Sequence, residues 1–324
     1  MPACRVFSAL SLAVVIAGCA SHVVTPTSSP GTENAVPPRV VQQQGRWETF
    51  PLGAGHVIDN NQSIATGFDG NMWACDNGAI DRIDTTGHVT SFSVPACSSP
   101  TRNPNQHVYF IEGPSNTQIG SIDASGNISA LQLDNQALVG VTASDPHKDL
   151  FIGSNDGTSQ MENINPTTGH VLLHQLIFPG GVGVQFTGLA YGSDGQIWFS
   201  CVTDEDHQTP CLGEVSLDLS TYNMSLLPEA SNPIAASDGG IWFSEGSAIA
   251  RVDTSTKTIT TYPTNQPVHA VWGTQGTSSH LYFVTAGRKL VSFNIRTHKA
   301  DLRSTLPDVI DSTESFVIVG PDKN

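Results

Sequence analysis

The sequence predicts an all-β fold, a seven-bladed β-propeller whose last blade is closed by strands from the N-terminus. Three observations point there: a phrase that recurs, a four-strand unit built around it, and incomplete units at the two ends of the chain that complete each other.

The phrase is Asp69-Gly70-Asn71-Met72-Trp73. It returns as Asp194-Gly195-Gln196-Ile197-Trp198-Phe199-Ser200 and as Asp238-Gly239-Gly240-Ile241-Trp242-Phe243-Ser244. Asp-Gly suits a two-residue hairpin turn in which both central residues take positive φ. The apolar run behind it reads as a short strand with an aromatic at its centre. A small, apolar strand precedes each turn, as in Ile64-Ala65-Thr66-Gly67 and Ile234-Ala235-Ala236-Ser237.

A third strand follows, with apolar residues three apart and a closing Asp, Asn or Ser. Its copies include Ile80 to Asp84, Ile119 to Asp123, Met161 to Asn165, Leu212 to Ser216, Ile249 to Asp253 and Leu290 to Asn294. The fourth strand alternates and usually stops at a proline: Val89 to Pro95, Val171 to Pro179, Tyr222 to Pro228, Ile259 to Pro263. Four short strands in roughly 40 residues make one propeller blade.

The central aromatics Trp73, Tyr109, Phe151, Trp198, Trp242 and Tyr282 mark six blades. A seventh begins near Val309-Ile310, includes Ser315 to Val319, and has only its first two strands. Arg39 to Gln43 and Arg46 to Pro51 supply the other two. Closing the ring in this way removes the open sheet edges that invite aggregation. An open β-sandwich is the alternative. Gly 30, Pro 20 and 13% charged residues suit a turn-rich β protein, and no helical periodicity is evident.

The N-terminus reads as an address. One basic residue, Arg5, precedes an apolar run from Phe7 through Ala17 that is too short to span a bilayer as a helix. It ends Ile16-Ala17-Gly18-Cys19, a lipobox-like phrase that predicts a lipoprotein signal peptide over 1–18 and lipidation of Cys19; ordinary cleavage with an incidental Cys is the other reading. Acyl chains on Cys19 would hold the protein at a membrane. Residues 19–38, rich in Ser, Thr and Pro, read as a disordered tether, and 39–324 as the propeller domain. The predicted location is the bacterial cell envelope, periplasmic or at the cell surface.

Without residues 1–18 the chain keeps 13 basic and 29 acidic residues, a formal charge of −16. Such a surface excludes a nucleic-acid partner, whose phosphates need a basic face. A monomer is expected. Four cysteines lie beyond Cys4 and Cys19, an even count that suggests disulfides in an exported protein. Strand order favours Cys75–Cys97, both on one face of the first blade, and Cys201–Cys211, which flank one loop of the fourth. No CxxC spacing supports a metal site among them.

Units of the form D-G-x-I-W-F-S-E, followed by I-x-R-V-D and a strand ending Y-P, resemble the virginiamycin B lyases, or streptogramin lyases. Glu245, Arg251-Val252-Asp253 and Thr261-Tyr262-Pro263 complete that pattern in the fifth blade. The resemblance covers about 39–324, and it is stronger in the first, fourth and fifth blades than in the second, third and sixth. It implies a seven-bladed propeller and a magnesium-dependent elimination that linearises a cyclic depsipeptide at its ester bond. A His serves as base, and carboxylates and the metal stabilise negative charge.

Few of the family's site residues are matched. His269, in Val268-His269-Ala270-Val271, matches the sixth-blade His. Asp308 stands where the base His of the seventh blade belongs, and Leu306 where a metal-binding Glu belongs. Val317-Ile318-Val319-Gly320 follows Phe316 where a second Glu would close the strand, and the Tyr of the first blade falls near Gln62. A carboxylate with an ordinary pKa of about 4 is a weaker base than His near neutral pH.

Loops that enter the first strands and leave the second strands converge on one face. Asp76, Glu112, Glu229, Glu245, His269 and Asp308 fall on such loops. This ring could bind Mg²⁺ or Ca²⁺ through oxygen, or be the solvated loop ends of an acidic protein. Two functions are expected from these residues: a non-catalytic module that binds a small molecule, glycan or protein on the funnel face, or a metal-dependent lyase with a rebuilt site.

Overall fold

The computed structural model describes residues 13–17, 40–41, 47–51 and 64–305, apart from 77, 85, 113–117, 134–139, 155–157, 178–180, 204–208, 228–230, 236–237, 265–266, 274–279 and 286–288. Every regular element among them is a strand. Near the N-terminus, β1 (Ala13–Ala17), β2 (Val40–Val41) and β3 (Trp47–Pro51) form a small sheet with β3 in the middle, antiparallel to both neighbours. The two N-terminal segments expected to close the last blade therefore pair with each other. In the uncleaved chain the apolar run expected as an export signal lies along β3, with Ala13 opposite Pro51 and Ala17 opposite Trp47. Residues 315–319, expected beside them, lie outside the described residues.

Six four-stranded sheets follow. The first is β4 (Ile64–Thr66), β5 (Met72–Asp76), β6 (Ala79–Ile83) and β7 (Val89–Ser93). The second is β8 (Ser98–Asn103), β9 (His107–Glu112), β10 (Gln118–Asp123) and β11 (Ile128–Gln132). The third is β12 (Gly140–Ser144), β13 (Leu150–Ser154), β14 (Gln160–Ile164) and β15 (Val171–Gln175). The fourth is β16 (Val184–Tyr191), β17 (Ile197–Thr203), β18 (Pro210–Val215) and β19 (Tyr222–Leu226). The fifth is β20 (Ser231–Ala235), β21 (Ile241–Glu245), β22 (Ala248–Val252) and β23 (Ile259–Pro263). The sixth is β24 (Val268–Gly273), β25 (His280–Thr285), β26 (Lys289–Asn294) and β27 (Lys299–Thr305).

Within each sheet the strands lie antiparallel in chain order, and the first strands β4, β8, β12, β16, β20 and β24 neighbour one another in that order. The sheets are thus blades arrayed side by side with their first strands innermost, and the fold is a β-propeller. The first strand of the second blade, Ser-Ser-Pro-Thr-Arg-Asn, lacks the apolar character of its counterparts. Pro100 fits there because it sits in a bulge between Ser98 and Thr101, where a ladder N–H is not needed; Pro233 occupies a similar bulge in β20.

The core lies between blades. Side chains alternate to the two faces of a sheet, and both faces meet a neighbour, so the second strands read as continuous apolar runs. Trp73 packs with Val108, Phe110 and Ile122 across the first seam. Phe151 and Met161 meet Phe186 and Phe199 across the third, and Trp242 and Ile249 meet Phe283 and Phe293 across the fifth. The fourth strands form the outer edges and are mostly exposed.

The Asp-Gly turns depart from the expected type. Gly70, Gly195 and Gly239 have φ of 78°, 78° and 76°, but the aspartates before them do not have positive φ. The Gly67 N–H donates to Asn71 O at 2.8 Å, and the Gly192 N–H to Gln196 O at 2.8 Å. This is a longer turn closed by a single left-handed glycine. The aspartate side chain selects it by accepting the N–H two residues on, at 3.1 Å from Asn71 and 3.1 Å from Gly240.

Candidate functional site

All second strands run the same way, so β5, β9 and β21 end at one rim of the propeller, at Asp76, Glu112 and Glu245. The Asp-Gly turns join first to second strands and lie at the opposite end. Asp76 is buried next to Cys75, which is disulfide-bonded to Cys97, with Cα atoms 5.2 Å apart. Glu112 is 4% exposed and its Oε2 has no hydrogen-bond partner among the described residues; desolvation raises its carboxyl above the usual range. Glu245 is half-buried and accepts the Thr261 hydroxyl at 3.2 Å. In the other second strands the matching rim positions hold Ser154, Cys201 and Thr285.

Asp76 and Glu112 stand on neighbouring blades, and the third and fourth blades separate them from Glu245. Among the described residues no three His, Cys, Asp or Glu side chains gather as a metal cage. The backbone of His269 lies in a bulge of β24, between Val268 opposite Thr285 and Ala270 opposite Val284. In the fourth blade Thr187 occupies the same place, and its Oγ1 lies 2.7 Å from Ser200 Oγ. Glu229, Asp308 and Cys19 lie outside the described residues.

The second disulfide joins Cys201 to Cys211, directly opposite each other on β17 and β18 with Cα atoms 4.9 Å apart. Both bridges therefore sit at the rim that carries Asp76 and Glu112.

At the other end the structure shows a device that the sequence reading missed. Asp69, Asp194 and Asp238 each accept the indole N–H of the tryptophan four residues on, at 3.2 Å. Asp238 also pairs with Arg251 Nε at 2.7 Å. Lys257 reaches from the fifth blade to Asp194 at 3.0 Å and to Glu214, with its ammonium 4.8 Å from the centre of the Trp198 ring. The Asp-x-x-x-Trp spacing, present in all three phrases, was the signal for it. Lys257 and Arg251 each face two carboxylates, and the aspartates tie these charges to the tryptophans of the blade cores.

The sequence matches the model of the virginiamycin B lyase family over residues 39–268, more than two thirds of the chain. The chain belongs to that family. Among solved structures, virginiamycin B lyase from Staphylococcus aureus is similar at 19% identity and a TM-score of 0.59, with 79% of this chain and 88% of that one covered. A streptogramin B lyase structure is similar at 18% identity and a TM-score of 0.61, over 82% of this chain and 89% of that one. The extracellular domain of a putative hybrid two component system from B. thetaiotaomicron reaches 13% identity and a TM-score of 0.57, over 79% of this chain and 37% of that one. At these identities the likeness is one of fold. No curated protein sequence matches the chain.

The described rim carboxylates Asp76, Glu112 and Glu245 are spread over separate blades, so they do not form one set of oxygen ligands for a metal.

Proposed function

We propose that this member of the virginiamycin B lyase family is an exported, lipid-anchored, monomeric propeller that binds a small molecule, glycan or protein on its acidic rim without catalysing a reaction. The reading is supported by the sequence resemblance, which sets Leu306 and Asp308 where the family has a metal-binding Glu and the base His, in a chain with the family's fold. Partly desolvated carboxylates such as Glu112 favour ligands that bring hydrogen-bond donors or positive charge. A bacterial envelope location rests on the apolar run and lipobox at Cys19, with the membrane as partner through the acyl chains. The formal charge of −16 without residues 1–18 leaves nucleic acid out.

A retained lyase activity is the second reading, favoured by His269 alone, which matches the family's sixth-blade His and whose backbone lies in a strand bulge. Thermal melts of the purified chain against panels of polyamines, oligosaccharides and cationic peptides test the binding reading. A stabilising ligand should lose its effect in Asp76→Asn and Glu112→Gln. A ligand that stabilises these variants equally would place binding elsewhere.

A further inference from the structure

The third strands repeat a small residue at one place. It is Gly120 in β10, Gly213 in β18 and Ala250 in β22, each directly opposite a phenylalanine of the second strand: Phe110, Phe199 and Phe243. The ring fills the space, and a Cβ built on Gly120 or Gly213 would meet it. In the third blade this pair is Ile152 and Glu162. A branched aliphatic and a carboxylic acid share the volume that a ring takes in the second, fourth and fifth blades; the first blade has Ala74 and Asp81 there.

Glu162 is 5% exposed, and its Oε2 is buried with no hydrogen-bond partner among the described residues. Ile152 and Ile164, on the same face, pack against Tyr109, Ile111 and Ile119 of the second blade. The carboxyl therefore lies within the seam between the second and third blades. On the second blade's side the titratable groups are Tyr109 and, at the ends of β9 and β10, His107 and Asp123. On the third blade Asp145, His147 and Asp149 lie in the turn before β13, and His170 before β15. The neighbours of Glu162 on β13 and β15, Ile152 and Leu173, carry no charge.

We propose that Glu162 is a pH-operated latch between the second and third blades. With its proton the blades close over it; without the proton the seam opens to admit water. A neutral carboxyl tolerates an apolar seam, whereas an unpaired carboxylate there must be hydrated.

Desolvation pushes the Glu162 carboxyl up from 4.5 to about 7. Its contribution to stability is therefore fully present below the unfolded value of 4.5 and is lost as pH rises through about 7. Within that window the folded-to-unfolded ratio falls by about tenfold per pH unit.

The test compares denaturant melts of the full chain and of Glu162→Gln between acidic and mildly alkaline pH, with amide hydrogen exchange of β9, β13 and β14. The wild type should lose stability relative to the variant up to neutral pH and then run parallel to it. Exchange at the seam should rise with pH beyond the intrinsic rate in the wild type only. Parallel stability profiles throughout, or seam exchange that follows the intrinsic rate in the wild type, would overturn the latch. If Glu162→Gln does not fold, Glu162→Ala, which places the fifth blade's residue there, serves as the reference under the same criteria.

Discussion

The indole N–H of Trp242 donates to Asp238 Oδ1 at 3.2 Å, while Asp238 Oδ2 accepts Arg251 Nε at 2.7 Å. One carboxylate thus fixes the turn, the aromatic of the second strand and the cation of the third. The ring it orients is fully buried and stacks on Tyr262 with centroids 5.5 Å apart. The recurring phrase is explained by this chain of contacts: Asp sets the turn and holds the ring, Gly takes the left-handed corner, and Trp fills the blade.

Asp238→Ala should therefore destabilise the chain by about 1–3 kcal/mol in denaturant melts, since it leaves a buried indole N–H without its acceptor and leaves Arg251 only its contact with Asp253 at 3.5 Å. Burial acts to raise the Asp238 carboxyl, but the bonds from Arg251 and Trp242 outweigh it and hold the group below the usual range. Its stabilising contribution is present above the unfolded pKa and is lost as pH falls through the lower folded value. The variant should accordingly be less sensitive to acid than the wild type. An unchanged acid midpoint would count against this linkage.

Gly213→Ala should cost about 1–3 kcal/mol by overpacking, because the added Cβ would meet the Phe199 ring and Asn223 O. A crystal structure of the variant should show the Phe199 ring displaced. Unaltered stability would mean that the seam between the third and fourth blades is looser than its contacts imply.

Removing a disulfide should cost about 3 kcal/mol on loop-closure grounds, somewhat more for Cys75–Cys97, with a sequence separation of 22, than for Cys201–Cys211, with 10. Cys→Ala pairs, melted in parallel with the wild type, measure both. The reverse ranking would show that strain or packing outweighs chain entropy.

The proposed lipidation of Cys19 predicts that Cys19→Ala is released from membranes and takes up no labelled fatty acid. Equal partitioning of both forms would remove the anchor from the account.

Much of the architecture was legible in the sequence because a blade is local. Its turns, alternation and aromatic centre fall within one stretch of chain, and six of the expected units are blades in the structure. The disulfides followed from strand order for the same reason. What escaped is geometry that the sequence pattern does not carry. The first strand of the second blade is polar, and only its bulge explains Pro100. The Asp238–Trp242 bond needs the turn geometry, in which the aspartate is not left-handed. Glu162 looked like one more polar residue of a third strand, although it stands where the second, fourth and fifth blades have Gly or Ala. In the candidate site Asp76, Glu112 and Glu245 reach the expected rim on separate blades, and His269 is placed by its backbone.

The most direct measurement of the central claim is a mass-spectrometric time course of a cyclic streptogramin B with Mg²⁺ and the purified chain. Loss of one general base costs about 10²–10⁴ in rate, and loss of a metal ligand adds to it. The account predicts an intact ring over hours with the wild type, and traces of linear product once Leu306→Glu and Asp308→His are combined. Rapid linearisation by the wild type, abolished by His269→Ala, would contradict the account and restore the enzyme.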